Sequence, residues 1–492
     1  MKKYILHILI VAGIIAGTSS CKGFLDTTPT DSVVAETAMS NLFDAGVVVN
    51  GLYTDIKYYT YYGRDLIYMG DMRADNLYPR VIGGQSATIY TLEYESEANT
   101  YFGLWTNFYT TLMRANTLLE NIEKLEVESA SDVATKNDYH GQALAVRAFV
   151  YHDIARLYGY PYLKDNGASL GAVILTSPAS PSEAKIPRST VAETYAQALA
   201  DLDAALPLLS KSKNTGHFNY WAARLLQARI MLYKGDYAGA YTAATDVINN
   251  SPYSLVSNAN YLDYWGHEGQ DETVLELIVT NQGDIDNDGG FIAMFHHLWF
   301  NDLNAAASII PTKKWRDLFA NTPNDVRAQM IQYDDPATGV KKTGEYWLNK
   351  FPGNKDRGYT FRRNNPHIFR ITEAYLIAAE AGLETGATAA ASNYLNAVRK
   401  RADPTAANVT ATLALVQTER QKEFIGEGHR FFDVMRRGGT ITRNMATDEH
   451  DYAGSSQYKA SFSWDYEKVV LPISNNERVS YPELQQNPGY KN

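Results

Sequence analysis

Three carboxylates alternate along Asp284-Ile-Asp286-Asn-Asp288-Gly289. Acidic side chains at the first, third and fifth positions with glycine at the sixth match the opening half of a calcium loop. The bidentate glutamate of such a loop would fall twelfth, where Phe295 stands. An Asp, Asn and Gly turn also forms without an ion. Asp284, Asp286 and Asp288 are therefore the metal candidates, for structural calcium, and no cofactor is expected to be required. His296 and His297 lack an evident third ligand and read as surface or core histidines. No His-Glu-x-x-His pair and no Lys-bearing phosphate loop occurs. A glycosidase needs only two carboxylates about 5–10 Å apart, and no spacing among the 55 acidic residues singles out such a pair. No catalytic residue is assigned.

The one thiol carries a different chemistry. Cys21 is the only cysteine, preceded by Lys2 and Lys3, an apolar run from Ile5 to Ile15, and the small residues Gly17 to Ser20. The run is about half of the ~20 residues that a membrane-spanning helix needs. A basic start, a short apolar middle and small residues before a cleavage point describe a secretory signal. A cysteine at that junction points to lipidation, with residues 1–20 removed and the body tethered by acyl chains, of which stable anchoring needs more than one.

The body must then be positioned by helices. Phe218, Trp221, Leu225, Ala228 and Leu232 form one helical stripe, and Gly235-Asp236 breaks it. Tyr237, Ala240, Ala244 and Val247 form a second stripe, closed by Pro252. Two short antiparallel helices with small residues at their crossing describe a tetratricopeptide-like unit. A similar pair is expected over Pro366 to Asp403, with Ile368, Ile371, Tyr375 and Ala379 on one face. Leu144 to Tyr158 and a helix capped by Ser189 suggest another, and Ala35–Tyr58 with Asn99–Leu125 a fourth. The fold class is mostly α: four such pairs in an α/α superhelix, with a loop-rich insert carrying a few short strands. Between Ser251 and Asn365 the helical period fades, and Glu272 to Thr280 reads as one buried strand. Four of the seven tryptophans lie there: Trp265, Trp299, Trp315 and Trp347. The divisions are 1–20, 21–250, 251–365 and 366–492. A net charge of −10 argues against nucleic acid. The stretch Glu419 to Arg436 spaces its charges by three and four, which suits ion pairs fixing a C-terminal helix better than catalysis.

Several segments resemble the SusD/RagB family of outer-membrane lipoproteins: Cys21-Lys-Gly-Phe24-Leu25-Asp26, Ala145-Val-Arg147-Ala-Phe-Val-Tyr151 with Leu157-Tyr-Gly159-Tyr-Pro161, Phe369-Arg370-Ile-Thr-Glu373, Glu419-Arg420 through Arg436, and Gln486-Asn487-Pro488-Gly489-Tyr490. The resemblance spans the mature chain in the family's order. It implies a ligand site in the insert of the helical frame and a SusC-like TonB-dependent transporter as partner. It also implies an outer-membrane, lipid-anchored body facing outward, and capture of an oligosaccharide without chemistry. The RagB branch handles peptides, which is the alternative, and a surface glycoside hydrolase is a more distant one.

Sugars present apolar C–H faces beside hydroxyls, so a site calls for rings next to Arg, Asp and Asn. Arg73-Ala-Asp75-Asn76-Leu-Tyr78 offers that mixture, followed by Tyr94, Tyr101 and Trp105. Trp105 could equally serve packing. Trp299 and Trp347 join the candidates by position and residue type.

Overall fold

The computed structural model describes residues 39–80, 85–95, 103–280, 308–359, 363–443 and 459–491. Cys21, Tyr101, Trp299, the histidine pair and the Asp284 to Asp288 run lie outside the described residues.

Side-chain caps set where the helices begin. Asn41 accepts the Asp44 N–H at the head of α1 (Leu42–Lys57). α2 (Asp65–Asp71), α3 (Gln85–Thr91) and α4 (Gly103–Ile122) follow. Ser129 caps α5 (Ala130–Tyr158). α6 (Val191–Ala205) starts one residue later than Ser189 would cap it. Thr190 forms a reciprocal box with Glu193, which satisfies two N–H groups where Ser189 could satisfy fewer. Asn219 caps α7 (Tyr220–Lys234), and Gly235, at φ +76°, ends it in a conformation that costs other residues energy. Asp236 then opens α8 (Tyr237–Asn250).

These helices pack as successive pairs: α1 on α4, α5 on α6, and α7 on α8. The fourth pair is α9 (Ile371–Glu384) on α10 (Thr388–Ala402), and α8 packs directly against α9. The result is a mostly helical superhelix. Trp221, Leu225, Ala228 and Leu232 are buried as the stripe requires, facing the small Ala240, Ala244 and Val247. Each fully buried large apolar side chain contributes roughly 1.5–3 kcal/mol. Among the described residues no helix is long and apolar enough to cross a membrane.

The strands are short. β1 (Leu77–Pro79) pairs antiparallel with β3 (Ile309–Pro311), and β4 (Ile331–Tyr333) with β5 (Tyr346–Leu348). β2 (Thr273–Glu276) pairs with β6 (His367–Arg370), so Ile368 sits in a strand rather than on the helix expected to include it. Pairing with β2 outweighs helical spacing there, and the helix starts at Ile371. The apolar run from Glu272 to Thr280 yields four strand residues; past them the Leu277 N–H bonds the Pro366 carbonyl and the Val279 N–H the Asn365 side chain, where the regular ladder gives out. β7 (Ile441–Thr442) pairs with β8 (Ser461–Phe462). α11 (Leu413–Glu423) and α12 (Arg430–Met435) lie against α9 and α2 respectively.

Candidate functional site

β1 draws most of the described candidates together. Tyr78 faces Ile310 across the β1–β3 pair, and β3 lies beside β5, where Trp347 sits. Tyr78, Tyr90, Ile310 and Trp347 form a small apolar cluster apart from the main core. The lead-in to β1 is pinned from behind. Asp75 pairs with Arg430 at 2.7 Å and with Lys314 at 2.7 Å. Burial alone would raise its carboxyl, but these two cations more than offset that and hold it below the usual range. The Asn76 side chain accepts from Gln421 at 2.8 Å, and its carbonyl accepts the Thr312 N–H.

Arg73 is held differently. Its guanidinium lies 3.8 Å from the Phe431 ring centroid and donates to the Val469 carbonyl, while Nε and Nη1 have no hydrogen-bond partner. Arg443 donates to the carbonyls of Arg73 and Ala74 and stacks 4.0 Å over Tyr90. Burial lowers the pKa of both guanidinium groups. Tyr94 donates to the Ile89 carbonyl, and burial pushes its hydroxyl up to about 12.

None of Arg73, Asp75, Asn76, Tyr78, Tyr94, Trp105 and Trp347 is more than 4% exposed. Trp105 is not part of the β1 group. It packs against Tyr109 and Tyr158, at ring separations of 4.7 and 4.9 Å, inside the helical core.

Among the described residues, the β4–β5 hairpin carries accessible groups of this region. Tyr333 is 49% exposed and pairs across the hairpin with half-buried Tyr346, ring centroids 4.9 Å apart. Arg316 lies 3.8 Å over the Tyr346 ring, and Arg80 pairs with Glu345 at 2.8 Å while lying 5.9 Å from the Trp347 ring. Asp334 shapes the loop by accepting the N–H groups of Lys341 and Thr343. Tyr333 and Tyr346 were not among the sequence candidates. The signal is a tyrosine at each end of a Pro- and Gly-containing turn, which places two rings side by side once the turn closes.

Charged residues elsewhere form structure. Glu423 binds Arg327, Arg370 and Arg401 at 2.8–2.9 Å, and Glu427 binds Arg370 and Lys350 at 2.7 Å. All are buried. Burial would raise the Glu423 carboxyl, but the arginines overcome it and hold it well below the usual range. Glu373 pairs with Arg229, and Arg147 with Asp201. The helical spacing of charges from Glu419 to Arg436 thus serves ion pairing. At the centre, α2 meets the turn between α11 and α12. A Cβ at Gly70 would collide with the Gly428 backbone, and Asp71 accepts the Gly428 N–H at 2.9 Å.

One serine has nucleophile-elbow spacing, Gly167-Ala168-Ser169-Leu170-Gly171. It lies in the loop between α5 and α6, and its buried Oγ has no hydrogen-bond partner, so no base activates it. Among the described residues no group of three His, Cys, Asp or Glu side chains could hold a metal.

Two family models match the chain. Residues 301–490 match the model described as SusD family, and residues 23–232 the one described as starch-binding associating with outer membrane. A solved SusD superfamily protein from Bacteroides thetaiotaomicron is 32% identical over 91% of this chain and all of its own, with a TM-score of 0.83. Another from Bacteroides vulgatus is 31% identical, covering 92% of this chain and all of its own, with a TM-score of 0.81. The starch-binding protein SusD of Bacteroides thetaiotaomicron is 35% identical over 126 residues, 25% of this chain and 21% of that protein.

Proposed function

The chain belongs to the SusD superfamily, and we propose that it is a carbohydrate-binding lipoprotein of the outer membrane that captures an oligosaccharide and passes it, unaltered, to a TonB-dependent transporter of the SusC type. Cys21 is the proposed anchor, with the body on the outward side. The observation that carries the reading is the pair of exposed Tyr333 and half-buried Tyr346 beside Arg316, Arg80 and Glu345, on a chain whose N-terminal half matches a starch-binding model.

Each ring offers sugars an apolar face, the two tilted 46° to one another, and the adjoining guanidinium and carboxylate groups match hydroxyls. Arg73, Asp75, Asn76, Tyr78, Tyr94 and Trp347 support that surface from beneath, and Tyr101 and Trp299 are proposed to extend it. Trp105 is proposed to act through the helical core behind it. Two rings each covering about 50 Å² contribute roughly 2.5 kcal/mol at ~25 cal/mol per Å². Hydrogen bonds add about 1 kcal/mol each, and binding costs several kcal/mol in lost freedom. With about five such bonds and a cost of about 4 kcal/mol the net is roughly 3.5 kcal/mol, a dissociation constant of a few millimolar, which suits cargo that must be released.

The test is calorimetric titration of the full-length chain in detergent against a panel of oligosaccharides, starch fragments included. Heat from one glycan class, weakened in Tyr346→Ala, is the expected result. Silence across the panel together with binding of oligopeptides would replace carbohydrate by peptide.

A further inference from the structure

A cavity lies between α11, α12 and the chain that follows, lined by none of the hairpin residues. It encloses about 350 Å³, at the small end of ligand cavities, which run from about 300 to 1,000 Å³. Its polar lining is weighted to one sign: Arg420, Arg430 and Arg437 against Asp433, with Gln417 and Thr440 completing the wall.

The surrounding ion pairs leave a cation over. Lys314 and Arg430 share Asp75, Arg420 and Arg436 share Asp433, and Arg436 and Arg437 share Glu380, with Glu384 added on Arg437. Five cations therefore meet four carboxylates. Arg420 is the group least satisfied. It is 3% exposed, its Nε donates to Asp433 at 2.9 Å, and its Nη1 has no hydrogen-bond partner. That Nη1 is sealed from solvent, so a cavity anion would stabilise the guanidinium through its charge and through the other donors that line the wall. A guanidinium presents its donors in a planar fork that fits a carboxylate or sulfate edge.

We propose that this cavity is an oxyanion site that takes a small molecule bearing one carboxylate or sulfate group. The rest of the protein sets the size limit. With a net charge of −10, the chain repels polyanions at long range, whereas a single oxyanion feels mainly the charges within about one Debye length of ~10 Å. The site stands independently of the carbohydrate reading, because no exposed ring lines it and its donors are arginines.

The experiment titrates the full-length chain in detergent at low ionic strength with inorganic sulfate, glucuronate and, as the uncharged control, glucose. Saturable one-to-one binding of sulfate or glucuronate, with none of glucose, is expected. Whichever anion binds tighter names the oxyanion. Thr440 is exposed, so Thr440→Glu adds a negative charge at the rim without touching the core, and it should weaken anion binding at least tenfold. Thr440→Gln should stay within twofold of the unaltered chain. Arg437→Gln should weaken binding similarly, with a thermal melt checking its fold. No saturable binding of either anion, or equal binding by Thr440→Glu, would overturn the proposal.

Discussion

Two of the places where this molecule buries arginine treat it in opposite ways. Around Glu423, carboxylates surround the cations: Arg327 meets Asp325, Glu419 and Glu423, and Arg370 meets Glu272, Glu423 and Glu427. At the lead-in to β1, Arg73 and Arg443 meet ring faces and main-chain carbonyls, and three of their N–H-bearing nitrogens have no partner. Charge-assisted pairs are short and directional, so the first region fixes one geometry. Ring and carbonyl contacts are weaker and less directional, so the second holds its arginines without fixing every donor. The helical frame is locked by the first region, and the proposed binding surface rests on the second.

The largest expected effect breaks the locked side. Glu423→Gln removes the charge that three buried arginines share, and stability should fall by about 3–5 kcal/mol, read from urea unfolding. A loss under about 1 kcal/mol would mean that the cluster does not hold the frame.

Asp71, where the two regions meet, gives the next effect. Burial, opposed in part by the Gly428 N–H, raises its carboxyl to about 7 from an ordinary value of 3.8. The unfolded chain ionises first, so the native state loses stability as pH rises from about 4 to 7, by up to roughly 4 kcal/mol. Asp71→Asn should remove that loss, gaining on the unaltered chain at pH 8 and matching it near pH 4. Parallel stability curves across that range would contradict the assignment.

A smaller effect concerns the binding surface. Tyr346→Ala should weaken glycan affinity about tenfold, or roughly 1.4 kcal/mol, with unfolding nearly unchanged. The smallest sharpens the contrast directly. Arg73→Met keeps an apolar stem against Phe431 and deletes two unpartnered donors along with the one bond to the Val469 carbonyl, so unfolding stability should fall by only about 1 kcal/mol. A loss as large as that of Glu423→Gln would erase the distinction.

The helix pairs were legible because buried stripes such as Trp221, Leu225 and Leu232 follow a local period. The charged cluster was legible in type, since Glu419, Glu423 and Glu427 share one spacing, but not in partners. Glu373 pairs with Arg229, 144 positions away, rather than with Arg370. The binding surface was the least legible. Arg73, Asp75 and Tyr78 have the right chemistry, but exposure decides function, and exposure follows from which strands pair. Tyr333 and Tyr346 become neighbours only when the loop between them folds back through Asp334.

The packing of α8 on α9 joins Asn250 to Ile371 across 121 positions. Everything between them is a closed loop whose entropic cost grows only with the logarithm of its length. Doubling that loop would cost about 0.6 kcal/mol, less than burying one methylene returns. Lengthening the exposed turns of the segment is therefore cheap, whereas Glu272, Arg327, Lys350 and Arg370, which lie in it and pair with Arg401, Glu423 and Glu427, tie it to the frame. A lineage, or a protein engineer, can vary the length of those turns freely so long as the four charged residues keep their places.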